Sequence, residues 1–228
     1  MRDGPRPGTL SGVVRGVQGP LRYAAPMLRP ALLLLCTVVL VLSGIGPYDR
    51  FTWWLEVLPG LIVLPILLRT HRRFPLTDLV TIAIAVHACI LFVGGHWTYA
   101  RVPAGDWVRD WLSLERNPYD RLGHLAQGFI PALVARELLL RTSPLRRGKW
   151  LFTLVTCMCL AISAFYELIE WWAAVGTGEA ADDFLGTQGD VWDTQWDMFL
   201  ALLGAISAQL LLSRVHDRQL EAVAGSRG

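Results

Sequence analysis

Residues 31–46 read ALLLLCTVVLVLSGIG and contain no charged side chain. A helix needs about 20 predominantly apolar residues to cross roughly 30 Å of hydrocarbon. The stretch 27–46 supplies them, whereas a helix on a soluble core would show a charged or polar face at the 3.6-residue period. Outward from it, further apolar stretches lie at 51–69, 75–95, 120–140, 150–174 and 195–213. The pattern predicts an all-α fold, a polytopic membrane helical bundle of about six transmembrane helices. One membrane domain covers 26–213. A disordered, Gly/Pro/Arg-rich cytoplasmic tail, 1–25, precedes it, and a cytoplasmic tail, 214–228, follows.

Charge gives the orientation. Arg2, Arg6, Arg15, Arg22 and Arg29 precede the first stretch, Arg69, Arg72 and Arg73 follow the second, and Arg141, Arg146, Arg147 and Lys149 follow the fourth. Arg214 and Arg218 follow the sixth. By the positive-inside rule, these basic loops and both termini are expected on the cytoplasmic side. The opposite face receives Asp106, Asp110, Glu115, Asp120, Glu179, Asp182, Asp183, Asp190, Asp193 and Asp197, together with His96 and His124.

With 53% hydrophobic residues among 228 and a mean hydropathy of +0.40, the composition fits a chain whose main partner is the lipid bilayer. A net charge of +2 is too small for a nucleic-acid surface. Cys36, Cys89, Cys157 and Cys159 lie inside apolar stretches without a zinc or disulfide spacing, and read as buried thiols. Most tryptophans, among them Trp53, Trp54, Trp97, Trp107, Trp111, Trp171, Trp172, Trp192 and Trp196, fall at the outer boundary as a headgroup belt. The segment 97–117 reads as a short amphipathic helix in that interface.

Polar residues inside the apolar stretches carry the functional signal. In YDRLGHLAQGF (119–129), Asp120 and His124 are four apart and share a helix face. In SAFYELIEWW (163–172), Glu167 and Glu170 are three apart in an apolar helix. A charged carboxylate at mid-bilayer costs roughly 2.5–3.5 kcal/mol on insertion scales, so such a pair calls for a shared proton, a basic partner or a cation. In FLGTQGDVWDTQWDM (184–198), Asp190, Asp193 and Asp197 form one helical stripe that continues through the small residues Ala201, Gly204 and Ala208. His96 ends the third stretch on the same side, whereas His87 lies near its middle. If the helices bundle, His124, Glu167, Glu170, Asp193, Asp197 and His96 become candidate metal ligands, and Glu167 and Asp120 candidate catalytic groups. Imidazole with carboxylates suits zinc, manganese, iron or magnesium. A purely structural polar network is the alternative.

The motifs HACILFVGGHWTYA (87–100), NPYDRLGHLAQGF, SAFYELIEW and FLGTQGDVWDTQWDM resemble the YjdF family of bacterial inner-membrane proteins over about 30–212. That resemblance implies a multi-spanning protein of the bacterial cytoplasmic (inner) membrane and supplies no substrate. Asp120 with His124, and Asp197 through Gly204, are also similar to a pattern of VanZ-like membrane proteins, with Ala201 where that pattern has an Asn.

Three function classes follow. The first is a divalent-cation-dependent hydrolase or modifier of an envelope lipid or lipid-linked glycan. The second is a proton- or ion-coupled transporter, and the third a non-catalytic scaffold or envelope-stress factor. No nucleophile motif decides whether the chain is an enzyme.

Overall fold

In a computed structural model, which describes residues 27–177 and 187–225, the apolar runs become helices and the described residues contain no strand. In chain order these are α1 (Leu28–Ser43), α2 (Arg50–Thr70), α3 (Asp78–Trp97), α4 (Pro103–Leu112), α5 (Tyr119–Thr142), α6 (Lys149–Thr177) and α7 (Asp193–Gly225). The tail through 26 and the acids Glu179, Asp182 and Asp183 lie outside the described residues.

Four helices, α2, α3, α6 and α7, are long and apolar enough to cross a membrane, and α1 is a shorter apolar helix of 16 residues. Their outward faces are greasy: Leu34, Ile62, Leu210 and Leu211 are each more than half exposed, as lipid-facing side chains are. The stretch expected as the fourth span is different. Helix α5 has 24 residues but carries Asp120, Arg121, His124, Gln127, Arg136, Glu137 and Arg141. It is sheathed by α3, α6 and above all α7, so its polar groups face protein rather than lipid.

The α5–α7 seam is built from the small-residue stripe. A Cβ on Gly128 would overlap the backbone of Ala201, and one on Gly204 would overlap the carbonyl of Leu125 and the amide of Phe129. Backbones can approach that closely only where side chains are absent. One core cluster below the seam joins Val80, Leu133, Leu151, Val155, Ala205 and Ala208, and a second joins Cys36, Trp53, Val57, Ala88 and Phe92 of α1, α2 and α3.

Three expectations shift. Trp53 is not a belt residue: it is 8% exposed and its Nε1 donates to Ser43 Oγ at 3.1 Å. Cys36 and Cys159 are buried and every described cysteine is a free thiol, but Cys157 is exposed on the apolar surface of α6. Residues 214–225 continue α7 as helix, burying His216, Leu220 and Val223, where a plain tail was expected. The interfacial helix expected within 97–117 is present as α4, with Trp107 and Trp111 exposed.

Candidate metal centre

Helix α5 brings the first two groups, α6 the next two and α7 the fifth. His124 Nε2 lies 3.5 Å from Asp120 Oδ1, one turn away on α5, and 3.8 Å from Asp197 Oδ2 on α7. Its other nitrogen, Nδ1, lies 3.8 Å from Glu167 Oε1 on α6. Two triads therefore share one imidazole: Asp120, His124 and Asp197, and His124, Glu167 and Glu170, with donor atoms in each triad within 4.8 Å of one another. All five residues are buried, each 8% exposed or less.

Gln127 Oε1 lies 3.1 Å from His124 Nδ1. With the ring hydrogen on Nδ1 and bonded to that amide oxygen, the Nε2 lone pair would face Asp120 and Asp197. In a tetrahedral site with 2.0–2.2 Å bonds, ligand atoms are about 3.4 Å apart, so the His124–Asp120 separation already has metal-site spacing. Two carboxylate oxygens here, Asp197 Oδ1 and Glu167 Oε1, are buried without a hydrogen-bond partner among the described residues. Such acceptors are costly to leave unmade and commonly mark a bound ion or proton.

The remaining predicted residues lie at the rim or apart. Asp193 pairs with Arg116, whose Nη2 also donates to Asp120 Oδ2 at 3.1 Å and whose Nη1 lies 3.7 Å from Asp190 Oδ2. Burial works against the charge on Arg116, but Asp193 and Asp120 outweigh it and hold the guanidinium above the ordinary arginine value. Arg121 reaches Asp190 at 3.1 Å and lies over the Trp196 ring. His96 is not brought to the cluster: its Nδ1 sits 2.9 Å from the Ser43 carbonyl at the end of α1. Asp190 lies just ahead of α7, where its Oδ1 accepts from Trp192 N at 2.9 Å, so the acidic stripe begins at Asp193.

Sequence reasoning missed Glu56 and Arg116. Glu56, 5% exposed on α2, accepts from Tyr166 Oη at 3.1 Å and borders the same cavity as Asp120, His124 and Glu170. A lone carboxylate in an apolar run was the available signal. For Arg116 it was the i,i+4 spacing to Asp120. Over this region the loops are tied together: Asn117, fully buried, donates to Val102 O and Asp106 Oδ1 and exchanges two hydrogen bonds with Gln188. Gly105 makes room for that asparagine, since a Cβ there would collide with its side chain.

Residues 28–218 match the family model described as predicted membrane protein (DUF2238). The chain belongs to the DUF2238 family. Within it, the chain is 55% identical over 199 residues to inner membrane protein YjdF of Escherichia coli (strain K12), covering 87% of this chain and 95% of that protein. The likeness drawn from the four motifs is thus borne out, and this DUF2238 chain is a multi-pass protein of the bacterial inner membrane. No solved structure matches it.

Proposed function

We propose that the protein holds a divalent cation at His124 Nε2, Asp120 and Asp197, and acts as a cation-dependent hydrolase or modifier of an envelope lipid or lipid-linked glycan. The observation that carries the reading is the double triad around one imidazole, with buried oxygens on Asp197 and Glu167 that lack a hydrogen-bond partner among the described residues. Among the described residues, the cationic side chains set against Asp120, Glu167, Glu170, Asp193 and Asp197 are Arg116 and His124, in a medium that penalises unbalanced charge. A bound cation would polarise a phosphoryl or carbonyl oxygen or activate water, leaving Glu167 to take a proton. Gln127, bonded to Nδ1, orients the imidazole as outer partners of metal-ligating histidines do. The positive-inside reading of Arg69, Arg72, Arg73, Arg146 and Arg147 puts this centre on the periplasmic side.

Ion-coupled transport is the weaker reading, because the polar groups of the cytoplasmic half are paired with one another rather than open to a path. Elemental analysis of detergent-purified protein after divalent-metal supplementation tests the proposal. Wild type is expected to carry metal and His124→Ala to lose it; a wild type without metal would remove the catalytic version.

A further inference from the structure

The polar centre is the upper end of a larger space. A cavity of about 660 Å³ runs down between α2, α3, α5 and α6. At its outer end it is bordered by Glu56, Tyr99, Asp120, His124, Tyr166 and Glu170, and its lower walls are apolar, with Gln127, His87 and Thr70 the polar exceptions. From Glu56 to Thr70 it follows α2 for about 20 Å, two-thirds of the hydrocarbon thickness. Its volume is that of an ordinary ligand pocket.

The slot exists because of how the helices pair. Helix α2 packs on α3, and α6 on α5 and α7. The Tyr166–Glu56 hydrogen bond bridges α2 and α6 at the outer end. Below it, Val63, Ile66, Ile162 and Phe165 line the cavity and are each more than a third exposed. These residues lie well inside α2 and α6, helices long and apolar enough to cross a membrane, so in a bilayer the wall would meet lipid chains.

We infer that this slot is the binding site for one long hydrocarbon chain of a membrane amphiphile, entering sideways from the bilayer and placing its first polar linkage against His124 and Glu170. The cluster residues border the very space the chain would fill. The group presented to them is therefore the one attached directly to the chain, a phosphoryl or carboxyl ester, and not the distal part of a head group. Amphiphile length fits the slot; a water-soluble head group alone has no apolar wall contacts to hold it. The inference deepens the function proposed above and rests on it only for the role of the polar end.

The test uses the full chain in nanodiscs of phosphatidylethanolamine and phosphatidylglycerol. In separate arms they are doped with a phosphatidylglycerol carrying a mid-chain diazirine and with a diazirine-bearing polyprenyl phosphate, and labelled peptides are mapped after irradiation. Labelling by either probe is expected to concentrate on α2 around Val63 and on α6 around Ile162, and the arm that labels more strongly identifies the source of the chain. Val63→Trp and Ile162→Trp, each checked for wild-type thermal stability, should lower slot labelling about tenfold. Their metal content should stay unchanged. His124→Ala should lose metal yet keep chain labelling, so failure of the cation reading and failure of the slot are told apart. Labelling as strong at Leu210 and Leu211 on the lipid face of α7 as in the slot, or undiminished in both tryptophan variants, would overturn the inference.

Discussion

Two buried polar clusters lie along the same pair of helices, and they are built to opposite rules. About 20 Å along α5 from His124, Glu137 is fully buried, with every contact answered. It accepts from Thr77 N at 3.1 Å, from Thr77 Oγ1 at 2.7 Å and from Arg141, and it lies 3.1 Å from His216 Nε2. Its neighbour Arg136 bonds Asp217 at 2.6 Å, and Arg147 reaches the same aspartate at 3.2 Å. Thr77 also caps α3, accepting from Val80 N. This inner cluster is a staple that locks α3, α5 and α7 in register. The outer cluster has similar residue types on α5 and α7, with α6 added, yet there carboxylates outnumber cations and carboxylate oxygens lack hydrogen-bond partners among the described residues. In the inner cluster the atom so left is a nitrogen, Arg141 Nη2. Carboxylates whose oxygens are all answered read as structure; buried carboxylate oxygens left unanswered read as a place for a cation or proton.

The comparison can be broken most severely at the seam that both clusters share. Gly204→Leu drives a side chain into the α5 backbone, which cannot rotate aside, so the cost should reach or exceed about 3 kcal/mol. No monodisperse protein is expected on size-exclusion chromatography in detergent; a folded variant would mean that the helices separate easily. Next in size, Glu137→Ala strips Arg141, His216 and Thr77 of their common partner and should destabilise by about 3–5 kcal/mol, read as a fall in melting temperature. The equivalent change outside sharpens the contrast. Glu167→Gln removes like-charge repulsion and should leave stability within about 1 kcal/mol of wild type, with the cation still held by His124, Asp120 and Asp197. A Glu167→Gln variant as unstable as Glu137→Ala would make both clusters staples.

Much of this architecture was legible in the residues. The uncharged run 31–46 announced the membrane, the four-residue step from Asp120 to His124 placed both on one face, and Ala201, Gly204 and Ala208 announced the close seam. What escaped depended on partners from other helices. Nothing local to His96 says that the carbonyl of Ser43 will claim it, or that Trp53 will turn inward to the hydroxyl of the same serine. His216 lay past the last apolar run, where hydropathy falls, although Glu137 and Arg136 bury it completely. Helix α5 is the general case. Its own composition is too polar for a lipid-facing span, and only the surrounding helices make it a buried one.

The central claim is that the outer cluster has a ligand to gain and the inner one has none. A thermal melt of wild type with and without divalent cation tests it most directly, because a ligand at 100 times its Kd stabilises by about 2.7 kcal/mol. The account predicts a clear upward shift that EDTA reverses, that Asp197→Asn and His124→Ala abolish, and that Arg147→Ala, at the inner cluster, retains. A wild-type melt that ignores every divalent cation would contradict it.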